Sequence, residues 1–183
     1  MSVWTIIGII AVLIVVYIIF VYNKLIVLKT RINNSWSQID VQLKRRYDLI
    51  PNLVNTVKGY IKHEKTVLEN LTKARASMFD AKSLPEKAKA SNMMSDALKS
   101  LFAVAENYPN LKANQNFMML QEELSGTEDK IAYSRQFYND NVMSYNATIQ
   151  QFPAFILANM FKFERVEFFK IEEPAKKVVK VEF

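Results

Sequence analysis

Val3 to Tyr22 reads VWTIIGIIAVLIVVYIIFVY, twenty residues with no charge, no proline and one glycine. At about 1.5 Å rise per residue, a helix of that length spans roughly 30 Å, the thickness of a bilayer's hydrocarbon core. Trp4 near one end, and Tyr17 and Tyr22 near the other, supply the amphipathic rings that favour a membrane interface. A cleaved signal peptide is the competing reading. It fits less well, because no lysine or arginine precedes the run, the run outlasts a signal h-region, and no small-x-small site follows. The chain has no cysteine, which excludes a lipoprotein anchor. The stretch is read as an uncleaved transmembrane helix.

This anchor organises the rest. The expected division is a transmembrane anchor over 1–23, a helical bundle domain over 24–161 and an extended C-terminal tail over 162–183. Lys24, Lys29 and Arg31 follow the span closely, with Lys44, Arg45 and Arg46 further on. The positive-inside bias therefore puts the C-terminal domain in the cytoplasm. The absence of cysteine agrees with a reducing compartment. A formal net charge of +6 raises nucleic acid as a partner, but the basic residues are interspersed with acidic ones along helical patterns. Nucleic acid is not expected.

From Asn23 onward the apolar spacing is helical. Leu25, Leu28, Ile32, Trp36, Ile39 and Leu43 step by three or four residues, and the stripe continues through Ile50, Val54, Val57, Ile61, Leu68, Leu71 and Met78. It predicts one long helix, or two in line. Pro51 removes an amide, yet the stripe keeps its phase, so a kink is expected there rather than a turn. Gly59 weakens the helix without ending it, and the first break expected is Asp80–Pro85. A second helix is predicted over 86–107 with Met94, Leu98, Leu101, Ala105 and Tyr108 inward. A third is predicted over 111–151, with a stripe from Phe117 through Leu124, Ile131, Tyr138, Val142, Tyr145 and Ile149 to Phe152. A short helix over 154–161 follows Pro153. Beyond Phe163 the period becomes two, and Arg165–Ile171 and Lys177–Phe183 read as extended segments. The fold class is all-α: an N-terminal transmembrane helix, an antiparallel bundle of long, coiled-coil-like helices and a short extended tail.

Four charges fall on the apolar seams: Arg46, Glu64, Glu128 and Arg135. Facing a bundle interior they must pair, because an isolated buried charge is costly. A structural network that fixes helix register is preferred over a polar functional site, since helical bundles use buried polar residues in that way. No metal is expected: a di-metal carboxylate centre needs Glu-x-x-His motifs, and the single histidine, His63, has no second ligand at useful spacing. No cysteine nucleophile, glycine-rich phosphate loop or GxSxG elbow is present, so no catalytic residue and no cofactor is assigned. Met93, Met94, Met118 and Met119 read as core filler.

Several blocks resemble the LemA family. In the first half these are Asn23-Lys-Leu, the run from Trp36 through Asp40 to Arg45-Arg46-Tyr-Asp48-Leu-Ile-Pro51-Asn52-Leu, and Gly59-Tyr60 with His63-Glu64. In the second they are Tyr108-Pro109, Leu120-Gln121-Glu122, Glu128, Ile131, Arg135, Tyr138-Asn139, Tyr145-Asn146 and Phe152-Pro153. The resemblance covers almost the whole chain. It implies a bacterial single-pass inner-membrane protein with a four-helix arrangement of long helices, and links to envelope functions and membrane proteases. It implies no reaction. Trp36, Asp40, Arg45, Arg46, Asp48, Pro51, Asn52, Glu64, Glu128, Arg135, Tyr138, Asn139, Tyr145 and Asn146 form the structural or interaction motif it marks.

The function expected is a non-enzymatic, membrane-anchored scaffold of the bacterial envelope that self-assembles or organises partners. Its partners are the lipid bilayer through residues 3–22, further copies of itself, and a membrane protease or envelope protein. The alternative is an adaptor or receptor that presents substrates or signals to a membrane protease. Continuous helix from Tyr22 would lift Arg45 roughly 35 Å from the membrane, several Debye lengths at physiological salt. Lys44, Arg45 and Arg46 should therefore not bind lipid headgroups. Vesicle flotation of the soluble domain on anionic lipid checks this; binding that vanishes on charge reversal at Lys44 and Arg45 would contradict it.

Overall fold

The computed structural model describes residues 2–61 and 64–170. Its helices are α1 (Val3–Lys58), α2 (Lys65–Asp80), α3 (Leu84–Ala105), α4 (Pro109–Lys112), α5 (Gln115–Thr148) and α6 (Ala154–Met160). Among the described residues there is no strand. The chain divides into two compact units, one comprising Met1–Asp40 with Ala132–Phe168, the other Val41–Ile131 with Phe169–Phe183.

In the first unit, residues 3–17 of α1 are exposed on every side, and protein cover begins only with Ile18 and Val21. The burial stripe then runs through Leu25, Leu28, Ile32, Ser35 and Ile39. From α5, Tyr138, Val142, Tyr145 and Ile149 are buried, as the expected periodicity requires. Tyr22 meets Phe161 edge to face at 5.0 Å and Phe163 at 5.9 Å. The Trp36 ring meets Tyr138 edge to face at 6.1 Å, and Asn141 Nδ2 donates to the buried Ser35 hydroxyl at 3.0 Å. Phe152, expected on the α5 stripe, is 81% exposed. The helix stops at Thr148, so Phe152 leaves the buried face; the Phe152–Pro153 peptide is cis.

α6 ends in a Schellman motif. Phe163 N donates to Ala158 O at 2.9 Å and Lys162 N to Asn159 O at 3.2 Å, with Lys162 in the left-handed region at φ 55°. The reversal turns the chain along α5 without forming a strand. Asn146 donates from Nδ2 to Val166 O at 2.9 Å and accepts from Val166 N at 3.0 Å. Tyr138 Oη donates to Glu167 O at 3.1 Å. Within the segment expected to be extended over Arg165–Ile171, Val166 and Glu167 are thus held by one side-chain amide and one phenol in place of a neighbouring strand, and Ile171 lies outside the described residues. Lys177–Phe183 lies outside the described residues.

The second unit is built on a core of Ile50, Leu53, Val57 and Ile61 with Leu71, Ala74, Met94, Leu98, Leu101, Leu111, Phe117 and Leu124. α1 carries Pro51 inside it and continues as helix. It ends at Lys58, however, earlier than the stripe implies. Gly59 costs a helix about 1 kcal/mol relative to alanine, and Tyr60 N and Ile61 N both turn back onto Val57 O. The period could not reveal this break, because Ile61 and Leu71 are buried in the same core from either side of it. The predicted helix over 111–151 also divides: α4 stops at Lys112, and Asn114 Oδ1 accepts from Phe117 N at 3.1 Å to start α5. Of the methionines expected in the core only Met94 is buried; Met93, Met118 and Met119 are 39%, 48% and 68% exposed.

α2 and α3 pack along each other, joined by Ala81-Lys82-Ser83. Ser83 closes a capping box on α3: its hydroxyl accepts from Glu86 N at 3.4 Å, and Glu86 Oε2 accepts from Ser83 N at 3.0 Å and Lys82 N at 2.8 Å. Ser83→Ala should cost about 1 kcal/mol in urea unfolding. The Ser83 and Lys82 amides hold the Glu86 carboxyl below its ordinary pKa. A depressed folded pKa stabilises above the unfolded value and is lost as pH falls through the folded one. The stability gap between wild type and Glu86→Gln should therefore narrow in acid; a pH-independent gap would contradict the capping box.

Candidate functional site

An enclosed polar cluster lies in the second unit, and it starts from Arg46. Position 46 falls on the same α1 face as Leu43 and Ile50, so the helix carries its guanidinium inward; the residue is 1% exposed. Arg46 Nη1 donates to Ser95 Oγ at 3.1 Å and to Glu128 Oε2, while Nη2 donates to Ser91 Oγ at 2.6 Å and Ser91 O at 3.2 Å. Ser95 Oγ lies 2.8 Å from Glu128 Oε1 and 3.1 Å from Ser91 O, so its single proton has two acceptors within reach. One cation, one carboxylate and two hydroxyls thereby join α1, α3 and α5.

Burial pushes the Arg46 pKa down, and the charge and hydrogen bond of Glu128 oppose that shift. Glu128 is at the rim, with its side chain 36% exposed. On the neighbouring face Arg45 grips Glu123 Oε1 through Nη2 at 2.7 Å and Nε at 3.2 Å, both side chains well exposed. The chemistry available to this cluster is charge compensation.

Of the four seam charges, the structure joins Arg46 to Glu128. Arg135 is buried in the first unit. Glu64 precedes α2 as its N-cap residue and makes no side-chain cap bond. His63 lies outside the described residues. Asp40, Asp48 and Asn52 are exposed, and Pro51 and Asn139 half-buried. Tyr145 is buried, and burial followed by the Glu164 charge raises its pKa; for Tyr138 the causes are burial and then Glu167. Both phenols therefore stay protonated at neutral pH, and Tyr138 donates to Glu167 O. Among the described residues, no group of histidine, cysteine or carboxylate side chains could hold a metal ion.

Ser91 and Ser95 were not legible as site residues. The available signal was a pair of small hydroxyls one turn apart on the inner face of α3. Sequence cannot say which cation such a pair will meet.

These features define a class: a helical protein with one exposed apolar helix of membrane-spanning length and an ion-paired interior. The LemA family model matches residues 35–183, and the chain belongs to that family. It is 28% identical to Protein LemA of Metamycoplasma hominis over 162 residues, covering 84% of this chain and 73% of that protein. It is 24% identical over 180 residues to Magnetosome protein MamQ of Magnetospirillum gryphiswaldense and to Magnetosome protein MamQ 2 of Paramagnetospirillum magneticum. Those alignments cover 84% of this chain, which spans 66% of the relatives' length. Together with the apolar helix, the relatives suggest a membrane location.

Removing Glu128 would strand a buried guanidinium. Glu128→Ala should cost about 2–3 kcal/mol, at or just below the usual range for a broken buried pair because water reaches the rim. Glu123→Ala, which breaks an exposed pair, should cost under about 1 kcal/mol. Urea midpoints of the two variants in detergent check this; equal midpoints would remove the Arg46 tie from the account of stability.

Proposed function

We propose that this protein is a non-enzymatic scaffold, anchored in the bacterial inner membrane by a single pass through residues 3–22 and assembling with copies of itself. The observation that carries the membrane part is the apolar stretch of α1, with mean hydropathy 3.0 and no part of that window buried within the chain. A helix apolar on every side needs an apolar medium around it. Lys24, Lys29 and Arg31, just beyond that stretch, favour a cytoplasmic position for the remainder. In this reading the remainder is a bundle of long helices, the arrangement the family resemblance implies.

A scaffold role is favoured by what the polar interior does. Arg46 and Glu128 neutralise each other within the chain, which suits a rigid spacer better than a turnover site. The two magnetosome relatives carry names of a subcellular structure, not of a reaction, in keeping with this reading. For assembly the proposed element is the tail, where Val179, Val181 and Phe183 alternate with Lys180 and Glu182. Such a strand needs a partner edge, and the same tail of a neighbouring subunit would provide it.

The test is the mass of the full-length particle in detergent by light scattering. A scaffold should be a homo-oligomer, and deleting Lys176–Phe183 should shrink it while circular dichroism keeps nearly all its helical signal. A monomeric full-length particle would favour the protease adaptor instead, and an oligomer whose mass survives the deletion would sink the tail's role.

A further inference from the structure

α6 is apolar on more faces than the chain covers. Its sequence, AFILANM, has no charge. Ala154, Leu157 and Ala158 are buried, and this inner face is ordinary core packing. On the outer face Phe155, Ile156 and Met160 are 40%, 51% and 60% exposed, and Phe152 before the helix is 81% exposed. A soluble helix presents a polar face opposite its buried one. Here Asn159 is the only polar side chain within α6.

The position of this patch is fixed by Tyr22. Tyr22 is the last residue of the apolar run and the one expected at the membrane interface. Its ring meets Phe161 and Phe163, the residues that close α6. Ile18 and Val21, on the last turn of the same run, are already partly or fully covered by protein. α6 therefore lies at the level where the span leaves the hydrocarbon, within about one helix diameter of it. An apolar patch there lies close to the end of the lipid-facing span, which Tyr22 joins to Phe161 and Phe163. Lys24 and Lys162, both exposed, adjoin Tyr22 and α6 in sequence and match the headgroup layer.

We propose that Phe152 and α6 form a second membrane contact, lying in the interfacial layer of the leaflet beside the end of the span, with Phe155, Ile156 and Met160 against lipid. The occupant of this face is the bilayer. A short helix lying in the interface next to a spanning helix gives the domain two attachment points, which restrict its rotation and tilt. The proposal rests on reading residues 3–22 as a bilayer span.

The chain has no cysteine, so single nitroxide labels can be placed without a cysteine-free background. Ile10→Cys, Phe155→Cys, Ile156→Cys and Asp140→Cys would be labelled in the full chain, in phosphatidylethanolamine–phosphatidylglycerol vesicles. Each label's collision rates with molecular oxygen, which favours lipid, and with a nickel chelate, which favours water, would be compared. The expected oxygen-to-nickel ratio at Phe155 and Ile156 is several-fold above that at the exposed Asp140 and below that at Ile10. If Phe155→Cys does not fold by circular dichroism, the Ile156 label carries the test. A ratio like that of Asp140 would mean the face is wet, and would overturn the proposal. Labels shielded from both agents would also overturn it, by showing a second copy of the chain on this face. A water-like Ile10 would bring down the span reading and this one together, whereas a lipid-like Ile10 beside a water-like Phe155 would remove only the second contact.

Discussion

Burying a guanidinium is among the more costly things a helical core can do. In the second unit, Arg46 is buried as deeply as the leucines around it. Its desolvation is offset only if its donors all find acceptors of good geometry. That demand reaches well beyond one side chain. It requires Ser91 and Ser95 one turn apart on α3, and Glu128 facing them from α5. Hydrophobic packing alone tolerates small shifts in helix register, because leucine meets leucine nearly as well after a displacement. A charge with fixed partners does not, so the tie selects one alignment of these helices. The exposed Arg45–Glu123 pair beside it has no comparable hold, since water can replace either partner.

The first unit handles its polar groups differently. Where the chain leaves α6 and runs back along α5, its backbone has no neighbouring strand to bond. Asn146 stands in for one, its carboxamide offering a donor and an acceptor to the single residue Val166. Tyr138 does the same for Glu167 O while its ring meets Trp36. One α5 face thus serves as core on its apolar atoms and as a substitute strand edge on its polar ones. This gives physical roles to Trp36, Tyr138 and Asn146, residues that the family resemblance marks without explaining.

The long elements were legible because their signals are redundant. The stripe from Leu25 to Ile50 repeats often enough that neither Pro51 nor the charge at position 46 obscures it, and α1 carries both without ending. Breaks were harder to see. At Gly59–Tyr60 and at Ala113–Asn114 the apolar phase is nearly the same on either side, so periodicity reads through a turn. Only the local chemistry, one glycine and one capping asparagine, distinguishes them from continuous helix. Phe152 falls on the apolar period of α5, and Met93, Met118 and Met119 are large and apolar. The structure exposes them, since a helix that stops or turns by a fraction of a residue moves a side chain out of the core.

The sequence by itself determined the apolar span, the helical class and the inward position of Arg46. Each depends on hydropathy and period, which are properties of a segment and its neighbours along the chain. Tertiary structure alone decided that Arg46 meets Glu128 beside two serines of α3, while Glu64 only precedes α2 and Arg135 is buried in the other unit. It also decided that Tyr22 meets the end of α6. These pairings join residues dozens to more than a hundred positions apart. Many partners of the same charge or size would have satisfied the local pattern equally well. What selects among them is the cost of leaving a buried charge such as Arg46 without acceptors, a condition that α1, α3 and α5 meet together and no segment meets alone.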